Sequence, residues 1–226
     1  MLRDTFLNKY KDLPARWNIE SDLCFYIIRR YEKLLLEAMT NLAEEKFQLP
    51  KYFQDRRSDE EYLYDLVDGW VVEDIICDAW LRPRLMNVSK DIEVKIMGTN
   101  RDRVVQKYNP NKITTDPDFI FSCRGRNVGL ELQMARKELP NGYDMKVGKV
   151  EKAIAASGYF LWVILPINKF FLINAALELK NIKATPNPMW GNKLVYHISQ
   201  EFINIAGGYS EMNKELSSIN ISKLGL

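Results

Sequence analysis

The chain begins with apolar positions spaced three and four residues apart. Between Glu20 and Phe47 they fall at Leu23, Tyr26, Ile27, Tyr31, Leu34, Leu35 and Met39, the stripe of an amphipathic helix. Ser21 or Asn18 is placed to cap it, and Pro14 and Pro50 stand outside it, so residues 1–50 read as helical. Ser58-Asp59-Glu60-Glu61 then matches a capping box, and the helix it opens is expected to run to about Trp80, ahead of Pro83. The second half of that helix is apolar on every side except at Glu73 and Asp74. Such a helix is buried, and Glu73, on the face of Trp70, Cys77 and Trp80, is the expected inward carboxylate.

From Asp91 the period changes from helical to alternating. Ile92, Val94 and Ile96 alternate with Glu93, Lys95 and Met97, which predicts a half-exposed strand, and Arg101–Tyr108 reads as a second strand or a hairpin end. Asp118–Cys123 and Val128–Met134 are strand-forming runs joined by Arg124-Gly125-Arg126-Asn127, which predicts a β-hairpin. Lys146–Ala156 has helical spacing and stops at Gly158. Tyr159–Leu165 is a continuous apolar run of strand length, as expected of a central strand covered on both faces. Lys169–Ile173 predicts another strand, Ala175–Lys180 a short helix, Lys193–Ile198 an outer strand, and the tail after Gly207-Gly208 one more short helix. The expected architecture is α/β: a central mixed sheet flanked by helices, with an N-terminal helical region. It reads as a single domain, with 1–57 helical, 58–175 the core, and 176–226 a C-terminal strand and helix.

The hairpin carries the chemistry. Glu131 lies inside Val-Gly-Leu-Glu-Leu-Gln-Met, where an ionised carboxylate is costly unless something pairs with it. A two-residue turn at Gly125-Arg126 pairs Asp118 with Gln133 and Ile120 with Glu131. Opposed residues share a face, as do residues two apart, so Asp118, Glu131 and Gln133 converge. A three-residue turn would separate them. Two carboxylates on one face of a strand pair make a candidate metal site.

Composition narrows the rest. In 226 residues, 46% are hydrophobic and 27% charged, which is ordinary for a globular protein, and a net charge of +2 is too slight to announce a polyanion partner. Three cysteines, Cys24, Cys77 and Cys123, stand far apart in apolar surroundings and read as free thiols. No apolar run is long enough for a membrane span, and the first residues lack an apolar signal core, so an intracellular, cytoplasmic protein is expected. The one histidine, His197, excludes paired-histidine zinc chemistry and reads as structural.

Pro117-Asp118, twelve intervening residues, then Glu131-Leu132-Gln133, set in an order of helix, three strands, helix and strand, resembles the PD-(D/E)XK nuclease superfamily. Among its branches the chain looks most like a type II restriction endonuclease of the prokaryotic restriction–modification type. Position 133 departs from the pattern, with glutamine where the family usually has lysine. The resemblance implies hydrolysis of phosphodiester bonds in double-stranded DNA at a specific short sequence. It assigns catalytic roles to Asp118, Glu131, Gln133 and Glu73. It implies Mg2+, with Mn2+ as a substitute, held by Asp118, Glu131 and the Leu132 carbonyl. An amide does not titrate, so Gln133 cannot be a general base, and Lys146 or Lys149 of the following helix is the alternative source of charge. Arg101, Arg103, Arg124, Arg126, Arg136, Lys146, Lys149, Asn192 and Lys193 are the candidate DNA contacts. A two-fold target would imply a homodimer. The alternatives are a structure-specific or repair nuclease on the same scaffold, an inactive DNA-binding module, and a protein scaffold without a DNA role.

Overall fold

A strand with no exposed residue is the anchor of the sheet. In the computed structural model, which describes residues 5–45, 49, 55–97, 117–123 and 125–216, all six residues of Tyr159–Ile164 are buried. Among these residues two compact units form, residues 5–83 and residues 84–97 with 117–216.

The first unit is helical: α1 (Phe6–Tyr10), α2 (Leu13–Trp17), α3 (Ser21–Ala43) and α4 (Asp59–Asp74), the last followed by a π-helical stretch, Ile75–Leu81. The long N-terminal helix forms as its spacing predicts, but its buried face is Cys24, Ile27, Ile28, Tyr31, Leu35 and Ala38, while Tyr26 is 65% exposed. Neither proposed cap serves it: Glu20 stands at the N-cap position, Ser21 is already helical, and Asn18 instead ends α2 in the left-handed conformation. The capping box at Ser58 is present in both directions, with the Glu61 N–H donating to Ser58 Oγ at 3.1 Å and the Ser58 N–H to Glu61 Oε2 at 3.0 Å. The helical run does not stop before Pro83, because α5 (Arg82–Val88) takes the proline in its first turn, where a missing N–H costs nothing.

Glu73 was the expected inward acid, and this needs correcting. Asp74 is the buried one, 4% exposed and accepting from the Tyr31 hydroxyl at 2.5 Å, whereas Glu73 is half-buried. The helix also buries Asp68, which takes hydrogen bonds from Tyr10 Oη at 2.6 Å and Lys9 Nζ at 2.7 Å. Buried carboxylates need such partners, and here phenols supply most of them.

The second unit contains the sheet. In chain order it holds β1 (Glu93–Ile96), β2 (Phe119–Cys123), β3 (Arg126–Ala135), β4 (Tyr143–Lys146), α6 (Val147–Ala155), β5 (Tyr159–Ile164), β6 (Lys169–Asn174), β7 (Thr185–Asn187), β8 (Lys193–Ile198), α7 (Gln200–Ile205) and β9 (Ser210–Glu211). The larger sheet runs β1-β2-β3-β5-β6-β9, antiparallel throughout except for the parallel pair β3 and β5. A parallel pair needs a crossover, and α6 lies within it. The fold is thus mixed α/β with a central mixed sheet flanked by helices. Val150 of α6 and Ile203 of α7 pack with Phe160, Trp162 and Ile164 of β5 and Phe171 and Ile173 of β6 in one apolar core.

A second sheet, β4-β8-β7, was not expected. β4 is only four residues, Tyr-Asp-Met-Lys, too few to show a period. β8, expected as an outer strand, is the middle of this sheet. The short helix expected after Gly207-Gly208 instead precedes those glycines as α7, and β9 follows them. Gly142 lets β4 meet β8: its φ is +109°, and a Cβ there would lie 2.1 Å from the Ile198 carbonyl oxygen. Gly142→Ala is therefore expected to break the β4–β8 pairing and lower the melting temperature by several degrees in a circular dichroism melt.

Candidate functional site

Asp118 comes just before β2, and its position follows from where the ladder ends. β2 pairs with β3 in a register that places Phe119 opposite Leu130, Phe121 opposite Val128 and Cys123 opposite Arg126. Beyond Leu130, β3 continues without a β2 partner. Pro117 has no N–H to give, and the Asp118 carboxylate supplies the missing acceptor instead: the Leu132 N–H donates to Asp118 Oδ2 at 2.8 Å. The Asp118 carbonyl is held from the other side by the Met97 N–H at 2.8 Å. Gly129 has its own reason to be glycine, since a Cβ there would meet Pro117 Cγ at 3.0 Å.

The turn has the two-residue length that was expected, but it is centred one residue earlier, between Cys123 and Arg126, and Gly125 is its second residue, with φ +80°. Each pairing therefore shifts by two, so Asp118 stands by Glu131 and not by Gln133. A slip of two preserves faces, whereas a slip of one would not. Phe119, Phe121, Leu130 and Leu132 take the buried face, leaving Asp118, Glu131 and Gln133 on the other.

That other face is the one α6 covers. β3 pairs in parallel with β5, placing Glu131 beside Phe160 and Gln133 beside Trp162, and both of those pack in the core that includes Val150 of α6. Lys149, one residue before Val150, reaches over the sheet and forms a close ion pair with Glu131 Oε1. The Glu131 side chain is 13% exposed and that of Lys149 44%. Burial pushes the Glu131 carboxyl above the usual carboxylate range, repulsion from Asp118 pushes it the same way, and Lys149 partly offsets both. The effect of Asp118 on Glu131 shows that the two acids lie within electrostatic reach.

Gln133 faces the same way, but its Nε2 donates to the Leu132 carbonyl at 2.8 Å. It neither titrates nor supplies charge, and Lys149 holds the cationic position. Among the described residues no three or more histidine, cysteine, aspartate and glutamate side chains stand together. The donor set is thus two carboxylates and the Leu132 carbonyl. Those oxygen donors suit magnesium, which keeps several waters, and they do not suit zinc. The mutual repulsion of two half-buried acids is the state that a divalent cation relieves.

The remaining candidates lie elsewhere. Arg126 and Arg136 are exposed, one at the start of β3 and the other just after its end. Lys146 is exposed at the junction of β4 and α6. Asn192 and Lys193 are exposed at the β7–β8 turn, with Asn192 left-handed at φ +61°. Lys149, named as a DNA contact or a reserve of charge, is engaged by Glu131. Glu73 belongs to the first unit. Arg101, Arg103 and Arg124, together with the strand expected at 101–108, lie outside the described residues. The three cysteines are buried and free. His197 is half-exposed on β8 with Asp144 at 2.8 Å from Nδ1, a partner distant in sequence. Among the described residues no helix is long and apolar enough to cross a membrane.

No family model matches the chain. No curated protein matches it either. Among solved structures it is similar to Hjc, a Holliday junction resolvase from Archaeoglobus fulgidus, an archaeal hyperthermophile, at 14% identity over 58% of this chain and 96% of that one, with a TM-score of 0.35. A likeness at this level assigns no chemistry, which rests here on the residues themselves.

Proposed function

We propose that this chain is a metal-dependent endonuclease that hydrolyses phosphodiester bonds of double-stranded DNA, with the PD-(D/E)XK motif carried by Asp118 and Glu131 and its cation supplied by Lys149. The observation that carries this reading is the meeting of Asp118, Glu131 and Lys149 on one face of β3. Asp118, Glu131 and the Leu132 carbonyl would hold a magnesium ion, which when bound neutralises charge on the phosphate and lowers the pKa of a water. Asp118 is held by the Leu132 N–H, so one carboxylate is fixed before any ligand arrives. Glu131 is partly desolvated, which strengthens its hold on a cation and on Lys149 alike. Lys149 shields Glu131 in the resting site and is placed to stabilise the charge that develops on the phosphate. Gln133 orients groups by hydrogen bonding and takes no proton.

The narrower reading is a type II restriction enzyme, cutting at a short two-fold sequence as a homodimer. Incubating the protein with plasmid and phage DNA in magnesium tests both levels. Discrete, reproducible fragments are expected, and they are to vanish in EDTA. Preferential cutting of a branched junction would replace sequence with shape as the specificity. Intact DNA under all divalent metals would overturn the nuclease reading.

A further inference from the structure

The turn between β7 and β8 is rigid, yet it holds a large apolar side chain out in water. Met189 is 90% exposed and Trp190 39%, with Leu194 next to them at 55%. This is not a loose loop. Asn187 Oδ1 accepts from the Met189 N–H at 2.8 Å, the Gly191 N–H reaches the Pro188 carbonyl at 3.2 Å, and the Asn192 N–H reaches the Asn187 carbonyl at 2.9 Å. Gly191 and Asn192 close the turn in the left-handed region at φ +66° and +61°. Its base is fastened as well: Asn187 Nδ2 donates to Asp144 Oδ2 at 2.6 Å, Asp144 Oδ1 lies 2.8 Å from His197 Nδ1, and His197 Nε2 lies 2.8 Å from the Asn141 carbonyl. Asp144 is on β4, which runs straight into α6 and Lys149.

Charge identifies the occupant. Between Glu178 and Glu201 the sequence has no acid, while Lys180, Lys183 and Lys193 are exposed around the turn. An acid-free, lysine-flanked segment suits phosphates. Three apolar side chains fall far short of the roughly 1,000 Å² that a specific protein interface needs. They do match the apolar wedges with which proteins unstack a base step.

We infer that the Pro188–Asn192 turn is a wedge that inserts Met189, backed by Trp190, into a base step of duplex DNA while the flanking lysines hold the phosphates. This rests on the nuclease reading above for its ligand. Pre-organisation by Asn187, Gly191 and Asn192 means that little ordering entropy remains to be lost on insertion.

The test uses wild-type protein in EDTA with duplexes carrying 2-aminopurine at each position in turn and a donor–acceptor dye pair at the ends. Binding is expected to brighten one step and to shorten the end-to-end distance through a kink of about 20–90°. The double substitution Met189→Ala, Trp190→Ala should weaken binding about 5- to 100-fold, the range of one or two lost stacking contacts, and abolish both signals. Its melting curve should match wild type, because both side chains face water. A bound duplex with no brightening and no kink, or signals that survive the double substitution, overturns the wedge. Cleavage without either signal overturns the wedge and leaves the nuclease intact. Both signals without any cleavage support the wedge and remove the nuclease. Failure of wild type to bind duplex DNA removes both. Self-association that the double substitution abolishes would make the turn a contact between copies and overturn the wedge.

Discussion

Glu131→Gln is expected to abolish DNA cleavage, by at least about 1,000-fold, because a metal-held carboxylate supplies several kcal/mol to the charged transition state. The same substitution should raise the thermal stability of the metal-free protein. The sign follows from the raised Glu131 pKa. The folded state holds that proton more tightly than the unfolded chain, so the stabilisation is full below the ordinary carboxylate range and is lost as pH rises through the folded value. At neutral pH the ionised group is a burden that glutamine removes. Asp118 works in the opposite direction. Asp118→Ala should be as inactive as the glutamine variant, yet less stable than wild type by about 1–3 kcal/mol, because it leaves the Leu132 N–H without its acceptor. Asp118→Asn keeps an acceptor and should recover most of that loss without recovering activity. Magnesium at about 100 times its Kd should raise the wild-type melting temperature by roughly 5–10 °C and leave all three variants unmoved. Calorimetry across pH checks the whole pattern. A magnesium shift that persists in Glu131→Gln would remove Glu131 from the site.

Lys149→Ala is expected to slow cleavage by about 100- to 1,000-fold, the usual loss of one charge donor at a reacting phosphate. A merely structural lysine would also disturb activity, so the pH profile is the deciding measurement. Lys149 holds the Glu131 carboxyl down against burial and Asp118. Its removal should carry the acidic limb of the rate profile to higher pH. The second variant is Lys149→Ala combined with Gln133→Lys, which returns the charge to the strand. Recovery of at least about tenfold over Lys149→Ala is expected, since both positions face the same side of β3. Gln133→Ala alone should cost much less than Lys149→Ala. Equal losses at 133 and 149 would sink the assignment of the cation to the helix.

Much of this site could be read from the residues because strand periodicity is simple. Tyr159–Ile164 announces itself by having no polar residue at all, and Asp118 and Glu131 share a face under any even slip of the hairpin. The position of the turn was harder to read. Arg124-Gly125 and Gly125-Arg126 both supply a glycine for a two-residue turn, and the choice between them is made by pairing along the whole of β2 and β3. The second sheet was invisible because β4 has four residues and β7 three, so neither shows a period. Glu73 and Asp74 are adjacent, and a helix apolar on all sides cannot say which one turns inward. The hydroxyl of Tyr31, forty-three positions before Asp74, settled it in favour of Asp74. His197 likewise finds Asp144 fifty-three positions away, a partner no local pattern contains.

Because the cation comes from α6, position 133 is released from a constraint. A residue there pairs with Trp162 in the parallel ladder, and it now needs only to suit that neighbour and the backbone. Substitution at 133 can therefore drift without loss of chemistry, provided a lysine persists one helical step into the crossover. A pattern that reads the acid and the two residues after it will overlook such a chain. One that pairs the acid with a lysine eighteen positions later, in the first turn of the following helix, would find relatives that the strand alone conceals.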